Sequence, residues 1–197
     1  MKKYKLLAGI LLASLSLNSC YDLDRYPYDQ VSSGTFWKTE SQAKQGMMGV
    51  YNVMKSENAF GTVYGLDCLS DIGVGYDDPG YVNVYLGTYT ARTGQIVNRW
   101  QTLYDGVVRA NTVIQNIASV ETTDDIKNQY IAEAKFMRAL YYSTLMNFFG
   151  GVPLYDETLI VDKDFNNMME PRATLEATRN FILADLDAAI TSLPVKW

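Results

Sequence analysis

Two long stretches of this chain carry apolar residues at spacings of three and four, which is the repeat of one helix face. A polar turn at residues 119–124 separates the stretches, and Asp124 or Asp125 is the expected cap of the second one. The pattern predicts helices over about residues 95–118 and 126–149, folded back on each other as an antiparallel pair. The main apolar positions are Ile96, Trp100, Leu103, Val107, Ala110 and Ile114 in the first stretch, and Ile131, Ala134, Met137, Leu140, Tyr141, Leu145 and Phe148 in the second.

Shorter helices are predicted before and after this pair. Thr39 and Gln42 have the spacing of a capping box, which predicts that a helix begins near Thr39 and runs to about Lys55. A further apolar repeat predicts a fourth helix over about residues 175–193. The fourth helix is expected to have no pairing partner of its own. Its apolar face therefore needs a neighbour beyond Trp197 or among the earlier helices.

Residues 56–94 break this helical pattern. They hold seven glycines and Pro79, which argue against a helix, while residues 81–86 have the composition of a short strand. The many aromatic side chains argue against disorder. The predicted fold class is mostly all-α, a helical-repeat scaffold with a long irregular insertion.

The N-terminus has the pattern of a bacterial lipoprotein signal. A basic start is followed by an uncharged apolar stretch, residues 6–17, which is too short to span a bilayer, and then by Leu17-Asn18-Ser19-Cys20. This pattern predicts a signal peptide over residues 1–19, a lipid anchor on Cys20, a tether over residues 20–38 and a helical domain over 39–197. The alternative is an ordinary secretory signal with a coincidental cysteine.

Composition excludes several classes of function. The chain has 197 residues, no histidine, and 17 basic against 22 acidic side chains, for a net charge of −5. A protein without histidine has no imidazole base, and an acidic protein lacks the basic face that a nucleic acid requires. The loop at residues 71–78 alternates acids and glycines but lacks the EF-hand spacing and its closing glutamate, so no metal site is predicted.

Five segments occur in the order found in one family of outer-membrane proteins. Cys20 is followed by Leu23-Asp24-Arg25-Tyr26-Pro27, and residues 35–40 read TFWKTE. The others are WQTLYDGVVRAN at 100–111, EAKFMRALYY at 133–142 and FGGVPL at 149–154. The end of the last predicted helix adds DL at 185–186 and LP at 193–194. The chain resembles the SusD/RagB family of nutrient-binding lipoproteins across its whole mature length. Because members of that family are much longer, it resembles their N-terminal portion.

The resemblance implies a TPR-like helical scaffold, anchored by lipid in the cell outer membrane and exposed at the surface. It also implies a lid-like partnership with a SusC-type TonB-dependent transporter, and binding of glycans or sometimes peptides. It implies no catalysis and no cofactor. Two other interpretations stay open: a helical scaffold that binds only protein partners, and a glycosidase that works with two carboxylates.

The insertion supplies the best ligand-binding candidates. An aromatic ring can cover the apolar face of a sugar while nearby carboxylate and amide groups bind its hydroxyls. The alternative is that these tyrosines pack the insertion onto the helices. The candidates are the tyrosines Tyr76, Tyr81, Tyr85 and Tyr89, with the polar residues Asp77, Asp78 and Asn83.

The motif residues of the helical pair are predicted to be structural. Trp100, Tyr104 and Asn111 share one helix face, which favours packing into the core, and Arg109 lies within the same motif. Glu133 and Arg138 interrupt an apolar stretch. Each is expected to make a hydrogen bond between helices, and Arg138 to direct its guanidinium at carbonyls or carboxylates.

Overall fold

The computed structural model describes residues 36–61, 66–73, 79–160 and 169–194, all within a compact unit that extends over Phe36–Trp197. Five α-helices lie in this described part, together with a π-helical turn at Glu57–Gly61 and a 3-10 turn at Ile117–Ser119. The helices are α1 (Glu40–Val53), α2 (Pro79–Tyr85), α3 (Gly94–Asn116), α4 (Asp124–Phe149) and α5 (Leu175–Ile190). The described residues contain no strand, only one isolated bridge between Thr39 and Glu121.

Helix α4 is the centre of the fold because it packs against both α3 and α5, while α1 packs across α3 and α4. The core lies where α1, α3 and α4 meet. It is formed by fully buried side chains from all three helices, including Met47, Val50, Leu103, Val107, Met137, Tyr141 and Leu145. The predicted all-α class and the pairing of the two long helices are therefore confirmed.

The fourth predicted helix, α5, has its neighbour within the described chain. It buries Thr178, Ile182, Asp185 and Ala189, and it packs on α4. Of the two expected sources of a partner, the earlier helices supply it. The opposite side of α5 stays open to solvent, with Leu175, Leu183 and Ile190 exposed by 58%, 49% and 75%.

Threonine side chains cap the start of α1, α4 and α5. Thr39 and Gln42 form the predicted capping box, in which the Gln42 amide donates to Thr39 Oγ1 and the Thr39 amide donates to Gln42 Oε1. The predicted cap of α4 is wrong, because Thr123 rather than Asp124 or Asp125 accepts from the Ile126 amide. The two aspartates lie in the first turn, where their negative charge stabilises the positive end of the helix dipole.

The insertion is more helical than predicted. Residues 79–85 form α2, not a strand, and Pro79 is its first residue. Proline suits that position since the first turn of a helix does not use its backbone N–H groups. A short apolar stretch fits either element by composition, and the described chain offers it no strand to pair with.

The predicted tether includes residues that belong to the core. Trp37 is 8% exposed and packs against Gly46 of α1. Its backbone has a φ of 61°, in the left-handed region, and its carbonyl accepts a hydrogen bond from the Ser119 hydroxyl at 3.1 Å. The compact unit therefore begins at Phe36, ahead of the predicted boundary at residue 39.

Replacing Gly106 by alanine is expected to destabilise the fold. A Cβ atom at Gly106 would lie 2.6 Å from Cε2 of Tyr141. That ring is fully buried, and its hydroxyl donates to the Val50 carbonyl at 2.7 Å. Overpacking of this kind costs about 1–3 kcal/mol, more than the gain in helix propensity. Urea unfolding measures the difference.

Gly49→Ala is the matched control, because a Cβ atom there meets only the flexible end of the Arg109 side chain, at 3.7 Å. It should raise the free energy of unfolding by about 0.5–1 kcal/mol through helix propensity alone. A Gly106→Ala protein as stable as the parent would contradict the close contact between α3 and α4.

Candidate ligand-binding cavity

A cavity of about 350 Å³ opens where the insertion meets the start of α3 and the end of α4. It is lined by residues from the segment 66–73, from α2 and the loop that follows it, from the start of α3 and from the end of α4. Its described lining residues are mostly aromatic and aliphatic, with two polar side chains. They are Leu69, Tyr81, Val84, Tyr89, Gln95, Ile96, Arg99, Phe148 and Phe149.

The structure brings two of the predicted ligand tyrosines together in this cavity. Tyr81 is half-buried on α2, and Tyr89, 52% exposed, lies in the following loop. Tyr85 is 43% exposed and does not line the cavity. Asn83 is also exposed and outside the wall, and its carboxamide oxygen accepts a bond from the Thr88 hydroxyl at 3.3 Å. The predicted candidates Tyr76, Asp77 and Asp78 lie outside the described residues, so their role stays a prediction.

Arg99 is the wall residue that the sequence analysis missed. Only 5% of it is exposed. Its Nη1 donates to the Ala59 carbonyl at 3.0 Å, and its Cζ lies 4.6 Å from the centre of the Phe148 ring. The signal was available in the sequence. Arg99 stands three residues after Ile96 and four before Leu103, a position that the apolar repeat assigns to the core.

A second concavity, of about 260 Å³, shares Ile96 and Phe149 with the first. Trp100 meets Phe149 edge to face, with ring centres 5.1 Å apart. The guanidinium of Arg172 lies over Trp100 and donates to the Phe149 carbonyl at 2.8 Å, which fixes the end of α4. Trp100 is therefore half-buried and lines the second concavity, where the sequence predicted a core residue.

Tyr104 and Asn111 extend the same face of α3, as predicted. The Tyr104 hydroxyl donates to the Pro153 carbonyl at 2.7 Å. Burial and two neighbouring tyrosines raise the pKa of Tyr104 well above its ordinary value, so this hydroxyl stays a donor. Asn111 is 5% exposed and donates to the carbonyls of Tyr155 and Asp156 at 3.1 and 3.0 Å. Both residues hold the chain after α4 against α3.

Arg138 joins four segments of the fold. Its Nε and Nη2 donate to the two carboxylate oxygens of Asp185 on α5, each at 2.7 Å. Its Nη1 donates to Asn111 Oδ1 on α3 and to Glu157 Oε2 in the loop after α4, each at 2.6 Å. Arg138 is 2% exposed and Asp185 5%. The prediction that Arg138 binds carboxylates between helices is confirmed.

Charge balance governs this buried cluster. Partial burial raises the pKa of Glu157, but the hydrogen bond and charge of Arg138 outweigh burial and bring the pKa below its ordinary value. For Arg138, burial lowers the pKa, and the hydrogen bonds and charges of Asp185 and Glu157 more than reverse this. Arg138 and Glu157 are therefore charged at neutral pH.

Glu133 and Arg109 have simpler surroundings. Glu133 is 9% exposed and accepts from the Gln129 amide at 3.1 Å and from the Tyr51 hydroxyl on α1 at 3.4 Å. Burial together with Glu133 raises the pKa of Tyr51 to about 12, which keeps that hydroxyl protonated. Arg109 is exposed and pairs with Asp105 on its own helix at 2.9 Å. Glu133 thus connects helices, as predicted.

The described lining of the main cavity suits a ligand held by aromatic packing and hydrogen bonds. It offers aromatic faces, one amide and one guanidinium, and none of these described residues is an acid. Among the described residues, no group of three histidine, cysteine, aspartate or glutamate side chains could hold a metal ion. Nor does that part of the chain contain a helix with the length and apolarity needed to cross a membrane.

Fold and cavity together define an all-α protein with an aromatic-lined cavity at its insertion. The particular family follows from its sequence profile, described as "Starch-binding associating with outer membrane", which matches residues 23–197. The chain belongs to this SusD-like family of carbohydrate-binding, outer-membrane-associated proteins.

Curated relatives agree with this assignment. A SusD-like protein of Formosa agariphila is 27% identical over 201 residues, covering 99% of this chain and 39% of its own length. A SusD-like protein of Bacteroides ovatus is 27% identical over 202 residues, covering 97% of this chain and 35% of its own. The chain therefore spans between a third and two fifths of the length of these relatives.

Solved structures show the same fold. A SusD-like protein from Bacteroides fragilis superposes with a TM-score of 0.70 at 22% identity, over 88% of this chain and 33% of that one. A laminarin-binding SusD-like protein superposes with a TM-score of 0.68 at 30% identity, over 80% of this chain and 35% of that one. These likenesses confirm the helical architecture predicted from the sequence resemblance.

Proposed function

We propose that this protein is a non-catalytic cell-surface lipoprotein that binds a glycan, or another oligomeric nutrient, before its uptake. The observation that carries the proposal is the aromatic cavity at the insertion, in a chain of the SusD-like family. The likeness to a laminarin-binding protein supports a glycan over a peptide.

The cavity has the chemistry that a sugar ring requires. Tyr81 and Tyr89 stand on the insertion side, and Phe148 and Phe149 stand on the α4 side. Each aromatic face can cover the apolar face of a pyranose ring, while the tyrosine hydroxyls and the amide of Gln95 are polar groups within reach of its rim. This volume is at the low end of the range for ligand pockets, which fits about one sugar unit of a longer chain.

Delivery to a transporter completes the proposed function. The signal pattern that ends in Cys20 supports a lipid anchor in the outer membrane, and the acidic residues Asp22 and Asp24 resemble a surface-export signal. A protein that holds a glycan at that surface needs a channel partner, which the family resemblance identifies as a SusC-type TonB-dependent transporter.

Truncating Tyr89 is expected to weaken glycan binding. Tyr89→Ala removes an exposed ring from the cavity wall without opening the core. Loss of one aromatic contact should lower the affinity by roughly two- to tenfold. Affinity electrophoresis against a panel of plant, algal and host glycans selects the ligand, and calorimetry then measures the affinity.

Tyr85→Ala is the matched control, because Tyr85 is a similarly exposed tyrosine of the same insertion but lies off the wall. Its affinity should equal that of the parent. Binding of no glycan, together with capture of a transporter, would favour the protein-only scaffold. Release of reducing sugar from any bound glycan would instead identify an enzyme.

A further inference from the structure

We infer that the cavity recognises an acidic sugar unit, with Arg99 binding the carboxylate of a uronate. This inference rests on the proposed glycan-binding function and names the substrate class of the same site.

Arg99 carries a buried positive charge without a carboxylate partner among the described residues. The one acidic residue of α3 is Asp105, and it pairs with Arg109 and not with Arg99. A buried charge is costly unless it is paired and hydrogen-bonded. The Phe148 ring and the Ala59 carbonyl compensate the Arg99 charge only in part, because neither has a formal negative charge.

Among the described residues, Arg99 has a single hydrogen-bond acceptor. A guanidinium has five N–H groups, and the single hydrogen bond from Nη1 to Ala59 occupies one of them. No deeply buried side-chain nitrogen or oxygen in the described part of the chain lacks a partner. Arg99 lines the cavity, so a ligand bound there can accept from the guanidinium.

The bond to Ala59 does not by itself explain an arginine here. A backbone carbonyl accepts equally well from a neutral donor, so holding the π-helical turn needs no charge. A planar guanidinium instead matches the two oxygens of a carboxylate. Nothing on the described wall opposes an anion, because its other members are aromatic, aliphatic or neutral amide.

The aromatic side chains of the wall and the charge of Arg99 together indicate the kind of ligand. The aromatic side chains Tyr81, Tyr89 and Phe149 can cover a pyranose face, while Arg99 beneath Phe148 receives a substituent of the same ring. A uronate presents its carboxylate on C5, at the rim of the ring, where an edge-on cation can reach it. The cavity thus fits one uronate unit within an oligosaccharide.

The first test uses the unaltered protein and pairs of ligands. Oligomers of galacturonate, glucuronate, mannuronate and guluronate are each compared by calorimetry with their carboxyl-reduced, neutral counterparts. For at least one pair, the acidic member should bind roughly tenfold more tightly or better, as a charge-assisted hydrogen bond provides. If no acidic oligomer binds more tightly than its reduced counterpart, the inference is overturned while glycan binding stands. Absence of binding to any glycan would overturn the proposed function itself.

The second test removes the charge from the wall. Arg99→Met keeps the side-chain stem, and it should abolish the preference for the acid while leaving the affinity for the reduced oligomer within about twofold. Arg109→Met removes a positive charge from the exposed side of the same helix and should keep the full preference. Retention of the preference in Arg99→Met would assign the carboxylate to another residue.

Arg99→Lys covers the case in which the methionine variant does not fold. Lysine keeps the charge but loses the planar pair of donors, so the preference should fall without disappearing. An unchanged preference in a folded Arg99→Lys protein would contradict recognition by the guanidinium. Equal binding of a sulfated neutral oligomer through Arg99 would overturn the assignment to a carboxylate.

Discussion

Replacing Arg138 by methionine is expected to lower the free energy of unfolding by about 3–5 kcal/mol, because it leaves a buried carboxylate without its partner. Asp185 is 5% exposed and receives both of its strong hydrogen bonds from Arg138. Asn111 loses the donor to its oxygen in the same change. Urea unfolding followed by circular dichroism measures the difference.

Two further variants separate charge from geometry at this position. Arg138→Lys keeps the charge but cannot bind Asp185 with two parallel hydrogen bonds, so an intermediate loss is expected. The double change Arg138→Met with Asp185→Leu removes both charges and should recover most of the lost stability. If Arg138→Met alone unfolds at the parent's urea concentration, the cluster does not hold the helices together.

Replacing Cys20 by alanine is expected to move the protein out of the membrane fraction completely. The proposed diacylglycerol on this thiol inserts two acyl chains, and two chains are what stable anchoring requires. No helix in the described part of the chain could take over that role. Fractionation of expressing cells and labelling with palmitate report the two outcomes separately.

Cys68→Ala is the matched control, because it removes the chain's other cysteine from the body of the fold. It should leave both the label and the membrane location unchanged. Persisting palmitate label on the Cys20→Ala protein would rule out the lipoprotein signal and leave the ordinary secretory interpretation.

Helix positions followed from the sequence because apolar periodicity is local information. The repeats at residues 95–118 and 126–149 predicted the ends of both long helices to within about two residues. The same reasoning identified carboxylates as the kind of partner that Arg138 would bind. It did not identify Asp185 and Glu157, which lie 47 and 19 residues away along the chain. Only the packing of α5 and the loop onto α4 selects them.

The insertion was harder to predict, for two physical reasons. A short apolar stretch such as residues 81–86 has no length from which a period can be read, so its strand-like composition misled. Arg99 was missed for a different reason. The apolar repeat of α3 was taken to consist of apolar side chains only, so a charged residue at a buried position of that repeat was not considered. The cavity depends on the end of α4 meeting the start of α3, and neither pattern contains that contact.

The contact between α4 and α5 combines an ion pair with ring packing. Asp185 binds Arg138, and the Phe181 ring of α5 meets Tyr142 of α4 edge to face at 5.2 Å while the Arg138 guanidinium lies over it. Sliding α5 by one turn, about 5.4 Å, would break all three contacts, so together they fix the axial position of one helix against the other. An apolar replacement of the ion pair would leave that position to the Phe181 ring alone, and extra signals from slipped states in NMR spectra would measure what the ion pair contributes.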